Sequence, residues 1–287
     1  MRWNKSTSLA ALAAAVMTVS PAVLHAQGDG RNLTTWRWDG RLDAGHWMGV
    51  HNINGSVKFA PSSDNMVHVV AEKRENGGDI AEVTFQVVEE GGDVTICAIW
   101  HDDGRCRITG FQQTEHNRND RNRTSVNFTV RVPRNLRVRA ASVNGAVSVS
   151  DVGQEVRAST VNGSCEVANA GGPVHASTVN GGVAVTTASG PVSATTVNGD
   201  VDARMTSISG TEDMRFSTVN GSVTITVPTP FDANVRFETV HGSIGSDFPV
   251  TLSGRFGPRH ASGTIGRGGR ELRAITVNGS IDLRKAN

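Results

Sequence analysis

The sequence predicts an all-β chain: a β-solenoid of about 18 residues per turn, with an N-terminal β region continuous with it. Three observations predict it. The triplet Val-Asn-Gly returns at a fixed spacing. The residues on both sides of it alternate with period two. The composition holds 32 Gly, 5% aromatic residues and no Tyr, which suits short strands and tight turns better than helices.

The triplets begin at Val143, Val161, Val179, Val197, Val219 and Val277. "VHG" at Val240 is a variant, and "ING" at Ile53 is an isolated early copy. The first four copies are spaced by 18, the next gaps are 22 and 21, and the last is 37. The last gap reads as two repeats with a degenerate copy between them. Five positions before each Val stand Val138, Val156, Val174, Val192, Met214, Val235 and Leu272. Three before stand Ala140, Ala158, Ala176, Ala194, Phe216, Phe237 and Ala274. One before stand Ser142, Thr160, Thr178, Thr196, Thr218, Thr239 and Thr276. Four after stand Val147, Cys165, Val183, Val201, Val223, Ile244 and Ile281. Each repeat therefore holds two short half-buried strands.

Asn-Gly is also the strongest short hairpin signal, so a hairpin meander is the competing fold. A meander needs only a turn and compatible flanks at each tip. A solenoid stacks each residue on its own copy one turn away, which favours recurrence of Val, Ala and Thr at the same offsets. The solenoid corners are then Asn144–Gly145, Asn162–Gly163, Asn180–Gly181, Asn198–Gly199, Asn220–Gly221 and Asn278–Gly279. Gly frees the backbone there, and Asn bonds locally or ladders with its neighbours. "GGP" and "SGP" near Gly172 and Gly190 make the opposite corner. Parallel crossovers favour a right-handed coil.

Residues 1–26 read as an export signal. Arg2 and Lys5 precede "LAALAAAVMTVSPAVL", and "LHA" before Gln27 ends the segment. A short apolar core followed by small residues is a signal peptide rather than a membrane span. Its removal takes two basic residues and no acidic one, so the mature chain is close to neutral. That argues against non-specific nucleic-acid binding, which needs a basic footprint, and any such binding would have to use local patches. No later segment is apolar enough to span a bilayer. The expected location is the periplasm or the cell surface.

Residues 27–130 form an N-terminal β region or cap. Trp36, Trp38, Trp47 and Trp100 lie here, and "MVHVVAEK" and "IAEVTFQVV" alternate like strands. "QQTEHNRNDRNRT" is a polar loop. Cys97 and Cys106 flank "AIWHDDGR", and an exported chain predicts a disulfide between them. A metal site from both cysteines and His101 is the alternative, but the spacing matches no common zinc pattern. Cys165 stands where other repeats carry Val and reads as a small buried hydrophobe. The solenoid spans residues 131–287. No C-terminal cap is legible after the last copy, which leaves end-to-end self-association open.

Chemistry is expected on the outward positions. Four residues before each triplet stand Arg139, Arg157, His175, Ser193, Arg215, Arg236 and Arg273. In a solenoid they align as a basic stripe able to bind an anionic polymer. The competing reading is a solvated face in which Glu155, Asp213 and Glu271 neutralise Arg157, Arg215 and Arg273, contributing ~0–1 kcal/mol per pair. Asp200 and Asp202 occur in one copy only, which argues against a calcium-binding roll. His46, His51 and His68 lie on separate strands without ligand spacing, and "HDDG" at His101 shapes a turn. No nucleophile, metal or phosphate-loop motif is present. No cofactor is expected.

"VPRNLRVRAASVNGAVSVSDVGQEVRASTVNGSCEV" resembles the bacterial putative adhesin family, exported β-strand-repeat proteins. "GGDVTICAIW", the second cysteine and the Asn/Arg-rich loop before "FTVRVP" are similar as well. The resemblance covers most of residues 30–285. It implies an exported β-solenoid and carries over no catalytic residue. The sequence therefore predicts a non-catalytic binding or structural module of the cell envelope, with an envelope polysaccharide or another envelope protein as partner. A self-assembling envelope scaffold and a polysaccharide-active β-helix enzyme are the alternatives.

Overall fold

In the computed structural model, which describes residues 28–100, 104–112, 123–187, 189–253 and 258–286, each triplet is the corner of a coil and not a hairpin tip. The strand before the triplet lies in one sheet and the strand after it in another. Both run parallel to their own copies. Val138 faces Val156, Val156 faces Val174, and Val174 faces Val192. Across the coil, Val147 faces Cys165, Cys165 faces Val183, and Val183 faces Val201. The strands after the triplets belong to an 11-stranded sheet, here sheet 1, and those before them to a 12-stranded sheet, here sheet 2.

The inward residues of both sheets meet in one core. In the middle coils it is built from small side chains, Val, Ala and a buried Thr. A buried Val contributes roughly 1.5–3 kcal/mol, so a single coil is stable only between neighbours. Cys165 is fully buried in this core, and burial pushes its thiol pKa up to about 12.

The "ING" copy is a full coil rather than an isolated one. Trp47–His51 pairs with Arg137–Ala141 and Val57–Pro61 with Val147–Ser150, both in parallel. Beyond it each sheet adds one parallel strand, Asp93–Trp100 in sheet 2 and Ser125–Val132 in sheet 1. Antiparallel strands then close the end: Val83–Glu90 on sheet 2, and Val67–Arg74 followed by Thr35–Gly40 on sheet 1. The strand Ser125–Val132 runs across residue 131, so the two predicted regions share one sheet.

Here the core turns aromatic. Trp36 stacks on Phe85 at 4.7 Å, and Phe85 meets Phe128 edge-on at 5.9 Å. Lys73 closes this end from inside. Its Nζ donates to the carbonyls of Gly30, Arg31, Ile80 and Val83. Burial lowers its pKa to about 8.

At the other end the structure corrects the sequence reading. The final copy does not end the stack. Glu271–Asn278 inserts between Met214–Ser217 and Ala233–His241, and Ile281–Lys285 between Val223–Val227 and Ile244–Ser246. Among the described residues the 37-residue gap holds no degenerate coil. Arg259–Ile265 pairs antiparallel with Ala233–His241, and Thr251–Ser253 pairs with Arg259–Ile265, so sheet 2 is capped. Packing explains the inserted order. Phe216 and Phe237 both point into the core, and Ala274 lies between them in the stack. The small side chain separates two bulky rings that adjacent coils would crowd together.

Candidate functional site

The Val-Asn-Gly corner is a hydrogen-bonded spine. From Asn144 to Asn278, each Asn Nδ2 donates to the Asn Oδ1 of the neighbouring coil at 2.7–2.8 Å, starting from Asn54. The buried Thr one residue before the triplet donates to the corner Gly carbonyl of the neighbouring coil, as Thr178 does to Gly163 at 2.9 Å. A Cβ at Gly181 would collide with that Gly163 carbonyl, so the stacking distance itself demands glycine. His241 replaces Asn in the terminal coil and pairs through its backbone with Asn278. The triplet valines face outward and are 37–39% exposed.

The predicted basic residues of sheet 2 stand in one column. Arg139 aligns with Arg157, then His175, Ser193, Arg215, Arg273 and Arg236. Because the final coil inserts, Arg273 stands between Arg215 and Arg236. A second outward column, Ala141, Ser159, Ser177 and Thr195, runs beside the first. A groove of about 310 Å³ opens over both, lined by Arg139, Arg157, His175, Ser193, the hydroxyl column and Thr109.

Neighbouring strands lie ~4.8 Å apart, and like charges facing each other at that distance destabilise a sheet. Three features hold the arginines in place. The Trp47 ring lies 4.8 Å from the Arg139 guanidinium, 5.0 Å from that of Arg157 and 4.9 Å from that of Arg137. Such contacts favour a cation over the indole face. Arg157 Nε donates to Glu155 Oε1 at 2.8 Å, and His175 Nε2 lies 4.0 Å from the same oxygen. Arg139 donates to the Ile108 carbonyl at 2.8 Å. Desolvation first, and Arg157 second, hold the Arg139 pKa below the usual arginine value.

The expected local partners are only partly found. Glu155 pairs with Arg157 as predicted. Asp213 instead accepts from the Glu271 backbone at 2.8 Å, and Arg273 pairs with Glu238 at 3.4 Å. Arg215 and Arg236 face no carboxylate within ion-pair distance among the described residues.

Cys97 and Cys106 are joined, with Cα atoms 5.7 Å apart. The bond consumes both thiols that the alternative metal site required. It fastens the small hairpin Arg105–Arg107 and Gly110–Gln112 over the outer face of sheet 2. Cys97, Ile99 and Cys106 form a second, separate core with Val88 and Phe111. Gln86 adds two bonds, from Nε2 to the Gly104 carbonyl and from the Cys106 amide to Oε1. His51 lies under this cover beside the groove. Burial, with Arg139 second, lowers its pKa to about 4, so the ring is neutral at pH 7. Its Nε2 is buried without a hydrogen-bond partner among the described residues.

The other expected histidines find local partners across strands. His46 Nδ1 lies 3.1 Å from Asp93, and His68 lies between Asp39 and Asp64 at 2.5 and 3.1 Å. The Asp39 hydrogen bond is the main cause that raises the His68 pKa. No described cluster of three His, Cys, Asp or Glu side chains could hold a metal. His101 and its two aspartates lie outside the described residues, as do residues 1–27. Sequence reasoning missed the hairpin wall, Trp47 as the arginine platform and the "ING" coil. The last was readable, because Met48, Val50 and Val57 occupy the repeat's core offsets.

Residues 144–284 match the family model described as Toastrack DUF4097. The match spans the repeat region from Asn144 to Arg284. Among solved structures, the chain is similar to a putative adhesin from Bacteroides fragilis NCTC 9343. Identity is 11%, coverage is 89% of this chain and 99% of that one, and the TM-score is 0.43. It is also similar to a putative cell adhesion protein from Clostridium sporogenes ATCC 15579, at 8% identity, 88% and 99% coverage and a TM-score of 0.37. A putative adhesin from Parabacteroides merdae ATCC 43184 is 10% identical, with 89% and 98% coverage and a TM-score of 0.34. No curated protein sequence matches the chain. No helix among the described residues is long and apolar enough to cross a membrane.

Proposed function

We propose that this chain is an exported, non-catalytic binding module that holds an anionic polysaccharide along the basic column of its β-solenoid. The observation that carries this reading is the register. Arg139, Arg157, His175, Ser193, Arg215, Arg273 and Arg236 face the same side on successive strands, with the hydroxyls of Ser159, Ser177 and Thr195 beside Arg157, His175 and Ser193. A polymer with one negative charge per sugar presents a matching row, since the strand spacing is close to the length of one sugar unit. Its carboxylates would meet guanidinium groups, and its hydroxyls would meet Ser159, Ser177 and Thr195. Ligand charge would relieve the repulsion stored along the column.

The scaffold reading loses the feature that suggested it. The coil containing Ile281 is internal, and the strand at that edge of sheet 1 is Ile244–Ser246, so an association through this end would use Ile244–Ser246 rather than Ile281.

The test is calorimetric titration of the mature chain with polygalacturonate, using dextran as the neutral control. Binding is expected with the uronan and not with dextran, and it should weaken as salt rises to about 0.15 M. Replacing Arg157, Arg215 and Arg236 together by Ala should weaken it about tenfold, which is ~1.4 kcal/mol. Unchanged binding in the triple variant would sink the column as the site. Release of shortened oligosaccharides during the titration would turn the reading towards the enzyme.

A further inference from the structure

The basic column is open at one end and blocked at the other. Moving from Arg139 away from Arg157, the next residue in register is Gly49 and the one after it Thr95. Gly49 offers no side chain. The Ile108 carbonyl reaches this stretch instead, accepting from Arg139 at 2.8 Å and from Thr95 Oγ1 at 2.9 Å. The disulfide, the Gln86 bonds and the small Ile99–Phe111 core hold this segment down. Thr109, next to Ile108, lines the groove. At the opposite side the groove runs past Ser193 and Thr195, and the column continues to Arg215, Arg273 and Arg236.

A polymer lying along the column would therefore meet a wall at Ile108–Thr109. We infer that the groove receives the end of an anionic polysaccharide and not its middle, with the terminal uronate unit stopped by Thr109 and lying over the Arg139–Arg157 pair. This inference rests on the polyanion reading above. From Arg139 to Ser193 the column crosses three strand spacings, roughly 14 Å, which accommodates a short run of sugars. The neighbouring hydroxyls favour a sugar over an acidic peptide. Ser159, Ser177 and Thr195 form one row beside the charges and can both donate to and accept from sugar hydroxyls.

The experiment compares trigalacturonate with two polygalacturonate preparations of different length, and counts protein molecules bound per polymer chain by light scattering. The number per chain is expected to be the same at both lengths, and the trimer should compete at equal concentration of chain ends. Thr109→Trp, which fills the groove beside the wall, is expected to weaken trimer binding about tenfold. Loading that grows in proportion to polymer length would overturn end recognition while leaving the polyanion reading intact. So would a Thr109→Trp variant that binds the trimer like the parent chain. If neither trimer nor polymer binds, the polyanion reading falls and this inference with it. If poly-glutamate binds and the uronates do not, the ligand is an acidic peptide and the sugar assignment is overturned.

Discussion

The two corners of each coil follow opposite rules. At the Val-Asn-Gly corner the coils from Asn162 to Asn278 repeat the same bonds, from Asn amide to Asn carbonyl and from Thr hydroxyl to Gly carbonyl. At the opposite corner the length of the connection varies, although Gly171, Gly172 and Gly190 stack against backbone there in the middle coils. Four residues separate Thr187 from Val192, whereas eight separate Met205 from Met214. The capping strands Thr251–Ser253 and Arg259–Ile265 leave from the same corner, between Ile244–Ser246 and Glu271–Asn278. So does the excursion from Pro61 to Arg137 that contains Lys73, the disulfide and the groove wall. One corner keeps register, and the other is where a solenoid acquires features. The cause is geometric: the spine keeps backbones in contact from Gly145 to Gly279, so an added atom there has nowhere to go, whereas the opposite corner keeps such contacts only in the coils of Gly171, Gly172 and Gly190.

The comparison can be broken at several strengths. The strongest test lies in the shared core. Ile281→Asp places a charge between Val223 and Ile244, where no partner exists. It should cost about 4 kcal/mol or more, read as a large drop in urea midpoint. A protein of unchanged stability that merely stopped associating would restore an open final coil.

Acid comes next, acting through the excursion. His51 titrates near 4 in the folded chain and at 6.5 when unfolded. The folded state therefore binds fewer protons between those values. Stability should fall as pH drops from 6.5 to 4, by about 3 kcal/mol in all. The penalty is absent above 6.5 and complete below 4. His51→Gln should flatten that part of the stability profile, and a profile identical to the parent's would show that the hairpin does not bury His51 in solution.

Gly181→Ala tests the spine directly. Its Cβ would press on the Gly163 carbonyl at a backbone angle of φ +151°. The expected loss is about 2 kcal/mol by thermal unfolding. Thr178→Val keeps the shape and removes only the hydroxyl bond to Gly163, for about 1 kcal/mol. A Gly-Ser pair inserted between Ser209 and Gly210, in the variable corner, should change stability by about 0.5 kcal/mol or less. If that insertion cost as much as Gly181→Ala, the two corners would not differ.

Much of this was legible because periodicity carries it. The inward offsets held from Val138 to Ile281, since alternation and burial share one cause. The corner asparagines and the shared face of the arginines could be read from position, the disulfide from the reading of an exported chain, but the order of Arg215, Arg273 and Arg236 could not. The groove did not, because its wall comes from residues 108 and 109, far from the repeat in sequence. His51 looked like one of several scattered histidines, and only the hairpin above it explains its lowered pKa.

The amino-acid sequence by itself determined the coil: its period, its inward and outward faces, and the glycine and asparagine at its tight corner. These depend on contacts between equivalent residues, so each repeat states them again. The order of the coils was decided by the tertiary structure alone. All copies carry the same edge pattern, and nothing local says that residues 271–285 slip between the coils of Phe216 and Phe237. Packing decides it, because Ala274 fits between two rings. The tertiary structure likewise decided that one end of the basic column is closed, by fastening a distant hairpin across it.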